Sequence, residues 1–136
     1  MPTEAQTQRD LLLAIGPIPG LHVERTNTGL ATDTRTGRSV RFGVPGAPDV
    51  RVCMAGRAVA IEVKSPTGRQ SERQRRWQAA HEAAGGVYLL CRDAGETVRD
   101  LATLARMWGR PELAVALESR AATALRATRA TVRLGG

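Results

Sequence analysis

The stretch Asp49–Lys64, DVRVCMAGRAVAIEVK, decides the fold. Two runs that alternate apolar and polar residues flank Ala55-Gly56, the pattern of a β-hairpin with a two-residue turn. That turn places Met54 opposite Arg57 and Asp49 opposite Glu62. Residues two apart in a strand share a face, so Glu62 and Lys64 point one way while Ile61 and Val63 point the other. Directly paired residues have Cβ atoms roughly 4.5–5.5 Å apart, and like charges placed there weaken a sheet. The expected register therefore sets two carboxylates side by side with an ammonium next to them. A three-residue turn would pair Asp49 with Val63 instead and dissolve the arrangement.

Two neighbouring carboxylates call for a counter-charge, and a divalent cation supplies one. Hard cations such as Mg²⁺ take oxygen ligands, commonly one or two carboxylates with water and substrate phosphate. Such an ion can hold a phosphate oxygen and acidify a bound water. Lysine fits the same picture. The chain carries 20 Lys and Arg residues, and Lys64 is its single lysine. Arginine stays charged and spreads its charge over a planar fork, whereas lysine is a compact point charge that can exchange a proton. At an attacking water it can orient, accept a proton or stabilise charge growing on phosphate. The simpler alternative is a strand-end lysine that snorkels and pairs with Glu62.

Outward from the hairpin, Glu4 to Ile15 reads as a helix with Leu11, Leu12 and Ile15 on one stripe, stopped by GPIPG. LHVERTN alternates as a strand, and NTG is a turn. ATDTRTGRSVRFG is polar, with two turn signals and a short strand near Val40 to Phe42. VPGAP is a rigid loop that delivers Asp49, and SPTGRQ is a loop after Lys64. Ser71 to Ala84 is a helix with Gln74, Trp77, Ala80 and Ala84 on the stripe facing the sheet. VYLLC, apolar throughout, is a buried strand. Glu96 to Trp108 is a helix, and Pro111 begins another that runs to about Arg129, with Leu113, Leu117, Ala121 and Leu125 on one side. The expected fold class is α/β, a mixed sheet flanked by helices with an extra C-terminal helix.

The 136 residues suit one domain, and 42% hydrophobic with 24% charged residues is enough to build a core rather than a disordered chain. A net charge of +7 points to a polyanionic partner, nucleic acid before membrane. No apolar run approaches a membrane span. The start, MPTEAQTQRDLLLAIG, has polar and acidic residues before a short apolar patch, unlike a secretory signal, so the cytoplasm is the expected compartment. Cys53 and Cys91 each sit in an apolar run and read as core thiols. No Cys/His spacing resembles a zinc site, and His22 and His81 stand alone. Aromatic residues are only 3% of the chain, which argues against a base-stacking single-strand binder.

GVPGAPDV, GRAVAIEVKSPTGRQSERQRRW and AAGGVYLL, in this order and spacing, resemble the VRR-NUC domain, the virus-type replication-repair nuclease of the PD-(D/E)xK superfamily. The resemblance runs from about Glu4 to Arg92. It implies a restriction-endonuclease-like nuclease domain over residues 1–107, with residues 108–136 as a helical extension packed on that domain or at a dimer interface. It implies Asp49, Glu62 and the backbone carbonyl of Val63 as ligands of Mg²⁺, with Mn²⁺ able to substitute, and Lys64 as the catalytic lysine. Gln74 matches the supporting glutamine of the following helix, and Glu4 an acidic residue of the first helix. Asn27 and Gly29 match an Asn-x-Gly turn near the DNA path. The implied activity is hydrolysis of DNA phosphodiesters, structure-selective and endonucleolytic on Holliday-junction or other branched DNA, by a homodimer; small stand-alone members are common in phages and prophages.

Ser71 and Gln74 also form a capping box, a role compatible with a place at the site. Arg69, Arg73, Arg75 and Arg76 bracket the start of that helix, and Arg35, Arg38 and Arg41 precede the Pro-Gly loop. Contacts to phosphate are the sequence-independent part of DNA binding, and Arg69 and Arg73 are the strongest candidates. Two other readings stand beside the nuclease. One is a non-catalytic DNA-binding protein on the same fold. The other is a basic interaction protein acting through its C-terminal helix, which leaves the lone lysine and the carboxylate pair without a role.

Overall fold

A computed structural model describes residues 1–26 and 29–135, with the backbone alone for residues 29, 30, 42 and 124–135. The elements in order are α1 (Glu4–Ile15), β1 (Leu21–Arg25), β2 (Gly29–Thr32), β3 (Ser39–Phe42), β4 (Val50–Met54), β5 (Arg57–Val63), α2 (Glu72–Ala83), β6 (Val87–Cys91), α3 (Ala94–Met107) and α4 (Pro111–Gly135). Four strands form a mixed sheet in the order β1-β4-β5-β6, and β2 pairs only with β3.

The hairpin forms in the expected register. Met54 pairs with Arg57 and Val50 with Ile61, so Asp49 and Glu62 stand one step beyond the last pair. Ala55 and Gly56 have φ of 53° and 72°, the two successive left-handed residues of a type I′ turn, whose twist matches the strands it joins. β1 continues the sheet antiparallel to β4, and β6 lies parallel to β5 on the other side. A parallel partner needs a crossover, and α2 is the helix within it.

Strand alternation sorts the two faces. Val50, Val52, Met54, Val59, Ile61 and Val63 join one buried core with Leu11 and Ile15 of α1, Val98, Leu101 and Ala105 of α3, and Leu113, Leu117 and Ala121 of α4. The C-terminal helix packs on α3 and α1, with Arg106 and Glu118 bridging α3 to α4 at 2.7 Å. Its apolar stripe is thus spent inside the protomer; the side chain of Leu125 lies outside the described residues.

Four expectations are corrected here. Cys53 is exposed rather than a core thiol, because β4 is buried on one face only and Cys53 alternates outward with Arg51. Cys91 is fully buried, and burial pushes its thiol up to about 11. The polar segment before the Pro-Gly loop is not one strand of the main sheet but a separate ribbon, with Gly29 opposite Phe42 and Thr32 opposite Ser39. On α2, Ala80 and Ala84 are exposed, and the partly covered stripe is Gln74, Trp77, Gln78 and His81. α2 buries no residue completely, because it lies over β6 at the side of the sheet away from the main core. α3 starts at Ala94, two residues before Glu96, because the Asp93 carboxylate caps it by accepting from the Glu96 N–H at 2.9 Å.

Leu117 is fully buried between helices. Leu117→Ala is expected to cost about 2–5 kcal/mol, the usual range for emptying such a position. Urea unfolding at constant m-value checks this. A cost under about 0.5 kcal/mol would mean that α4 is not part of the core.

Candidate active site

The site sits at the open end of the hairpin, on the face of the sheet opposite the main core. Asp49 arrives from the loop Gly43–Pro48. Gly46 in that loop has φ of +82°, and a Cβ there would overlap the carbonyl oxygen of Arg73. Only glycine lets the loop lie this close to the first turn of α2. Pro48 is fully buried next to it. Asp49 is then held at two points. Its main-chain carbonyl accepts from the Thr26 N–H at 2.8 Å, and its Oδ2 accepts from the Val63 N–H at 2.8 Å.

Glu62 is 3% exposed. Its Oε1 accepts from Nε2 of Gln74 at 3.1 Å, whereas Oε2 is buried with no hydrogen-bond partner. Burial, then the adjacent Asp49 carboxylate, pushes the Glu62 carboxyl up to about 8; Lys64 pulls it partly back. With Oε1 already accepting from Gln74, the retained proton sits on Oε2 toward the Asp49 carboxylate; once it leaves, Oε2 is a buried charged oxygen without a donor, an interaction that the chain by itself does not complete.

Gln74 serves two purposes with the two ends of one amide. Its Oε1 accepts from the Ser71 N–H at 2.8 Å, and the Ser71 hydroxyl accepts from the Gln74 N–H at 3.2 Å, completing the capping box. Its Nε2 is left to face Glu62.

Lys64 follows Glu62 at the end of β5, half-buried, with its main-chain N–H donating to the Cys91 carbonyl at 2.9 Å. The next residue is clamped. Oε1 of Glu4 accepts from the Ser65 N–H at 3.0 Å, and Nη1 of Arg92 donates to the Ser65 carbonyl at 2.6 Å. Glu4 thus braces the chain beside Lys64, and its charge adds a smaller upward push on Glu62. Arg92 was not among the residues expected from sequence. It lies 27 positions from Ser65, and nothing local in CRD marks it.

Asp49, Glu62, Lys64, Gln74 and Glu4 are therefore gathered at one end of the sheet. Arg69 and Arg73 are exposed beside them, around the start of α2. Gly29 begins the ribbon at β2, and Asn27 lies outside the described residues. Among the described residues, no group of three or more His, Cys, Asp or Glu side chains is placed to share a metal ion. A cation here would rest on the two carboxylates of Asp49 and Glu62 together with main-chain oxygen, a donor set that suits a hard ion keeping several waters.

No family model, no curated protein and no solved structure matches this chain. Among the described residues, no helix is long and apolar enough to cross a membrane.

The raised Glu62 carboxyl has a consequence for stability. With an ordinary value of 4.5 unfolded and about 8 folded, the native chain holds a proton that the unfolded chain has lost. Its contribution is full below the unfolded value and fades as pH rises through the folded one. Metal-free protein should therefore melt lower at pH 8.5 than at pH 5.5, and Glu62→Gln should remove most of that difference. Calorimetry of both proteins in EDTA across this range measures it. An equally steep decline in the variant would put its source elsewhere.

Proposed function

We propose that the protein is a metal-dependent DNA nuclease of the VRR-NUC type. The observation that carries this reading is the buried Glu62 carboxyl set against Asp49, whose Oε2 has no donor once it ionises, within electrostatic reach of Lys64. Asp49, Glu62 and the main-chain carbonyl of Val63 would hold Mg²⁺ or Mn²⁺. When bound, that ion supplies charge stabilisation for the phosphodiester and acidifies water to a usable nucleophile.

The chain's own groups do the rest. The Val63 N–H fixes Asp49, and the Gln74 amide fixes one oxygen of Glu62 so that the other points free. Glu62 must lose its proton to act as a ligand. Lys64 makes no side-chain hydrogen bond or ion pair among the described residues, so its ammonium is available to the substrate. It orients the attacking water and offsets charge on the phosphate. The Glu4–Ser65–Arg92 clamp holds that lysine's backbone in place. A net charge of +7 favours a nucleic acid as the polyanion.

The preference for junction or branched DNA and the homodimer belong to the same reading, since a two-fold enzyme suits a symmetric junction. Such an interface would use surface other than the stripe Leu113, Leu117 and Ala121, which the core takes up. An interaction protein acting through α4 would likewise have to use its other face. The compartment that fits this activity is the cytoplasm of a bacterium or of a phage-infected host.

Asp49→Ala and Glu62→Ala should each abolish cleavage of junction, flap and linear duplex DNA in Mg²⁺ or Mn²⁺. Both should keep the wild-type circular dichroism, because neither side chain belongs to the main hydrophobic core. Cleavage at the wild-type rate by either variant sinks the site; binding without cleavage by the wild type would favour the non-catalytic DNA-binding reading.

Lys64→Arg discriminates a working point charge from a strand-end cation. A loss of roughly a hundredfold or more in single-turnover cleavage is expected, the scale of one acid–base or electrostatic group. DNA affinity at fixed salt should stay near wild type, because net charge is unchanged. A variant that cuts normally returns Lys64 to a structural role.

A further inference from the structure

Beside the carboxylates lies a cleft of about 370 Å³ lined by Arg41, Pro45, Arg73, Arg76 and Trp77. It is assembled from three separate parts of the chain. Arg41 comes from β3 of the ribbon, Pro45 from the Pro-Gly loop, and Arg73, Arg76 and Trp77 from α2. The volume is at the small end of the roughly 300–1,000 Å³ usual for ligand clefts.

Two of the three charges in the cleft are not spent internally. Arg76 pairs with Glu72 one turn away. Arg41 and Arg73 have no ion-pair partner among the described residues, although both are arginines set against the same walls. Two unpaired guanidiniums facing a shared cleft repel each other and ask for an anion. The planar fork of each matches two oxygens of a phosphate. The Trp77 ring is already occupied, stacked on His81 at 4.8 Å and capped by the Arg51 guanidinium at 5.6 Å. It is a wall rather than an open platform for a base, which favours a backbone over a nucleobase as the occupant.

The loop and α2 walls of the cleft are tied to the acidic site. Gly46, next to Pro45, packs on the Arg73 carbonyl, and Gln74, next to Arg73, holds Glu62. A phosphate held by Arg73 is therefore set close to the carboxylates, and Arg41 reaches it from the ribbon.

We propose that this cleft is a subsite for a DNA phosphate flanking the scissile bond, gripped by Arg41 from the ribbon and Arg73 from α2. The ribbon thereby works as an arm laid along the cleaved strand. This rests on the nuclease reading for the word scissile, while the phosphate grip itself stands on the cleft.

Anisotropy titrations of labelled duplex DNA in EDTA, over a salt series, test it. Arg41→Ala and Arg73→Ala should each weaken binding and lower the slope of log K against log salt by roughly 0.9. The double variant should lose about twice that. Arg41→Lys should recover the slope, because charge returns, and Arg99→Ala, on the exposed side of α3, should leave it unchanged. If the double variant binds with the wild-type slope, the inference falls, and normal cleavage by that variant leaves the nuclease reading intact. If the slope drops as expected but no protein cuts DNA with any divalent ion, the phosphate grip stands and the nuclease reading falls. Wild type that does not bind DNA overturns both. Equal binding of free inorganic phosphate and DNA phosphate at the cleft, read as competition at millimolar phosphate, would overturn the strand-tracking role.

Discussion

Two carboxylates standing next to each other at the buried end of a hairpin are the constraint on which the rest of this structure depends. Left alone, Asp49 and Glu62 would push the strands apart. The fold answers with local measures: an amide N–H on Asp49, a glutamine on one oxygen of Glu62, and a proton retained on Glu62 well above its usual range. Only the proton reaches Oε2, and once it leaves that buried oxygen has no donor. The elements around the pair can be understood by what each contributes to holding it. The Pro-Gly loop brings Asp49, β5 brings Glu62 and Lys64, and the first turn of α2 brings Gln74.

The scaffold that bears this strain is asymmetric. One face of the sheet is sealed by α1, α3 and α4 with a continuous aliphatic core. The other carries α2, which covers the sheet only thinly. Stability and chemistry are thereby assigned to opposite faces. The apolar side can absorb the unfavourable electrostatics of the acidic side because its hydrophobic contribution is large and independent of it.

Much of this was legible in the sequence, and what was legible was local. Ser71 with Gln74 caps α2 at positions the chain marks plainly. Ala55-Gly56 with alternating flanks set the hairpin register, and the register alone put Asp49 beside Glu62. What escaped was non-local or poorly patterned. The ribbon is short and polar, so its β2 strand carries no alternation against a core. Arg92 reaches Ser65 across a parallel crossover that no sequence window spans. Cys53 was misjudged because VRVCM is apolar enough to read as buried on both sides, whereas β4 has only one covered face. Gln74 was recognised, but the stripe around it was drawn through Ala80 and Ala84 when the helix turns Trp77, Gln78 and His81 toward the sheet.

The two-residue turn at Ala55-Gly56 carries a consequence for how such a chain can drift. Side-chain facing in the hairpin is a matter of parity, so adding or deleting one residue at that turn would swap Ile61 and Val63 with Glu62 and Lys64 in a single event. Core and chemistry would be lost together, and no compensating substitution nearby could restore both. The ribbon turn around Asp33–Gly37 has no such coupling, since among the described residues β2 and β3 pair with nothing but each other. Length variation in descendants of this sequence should therefore collect in the ribbon and spare the hairpin, leaving the arm free to change its reach while the acidic pair keeps its spacing.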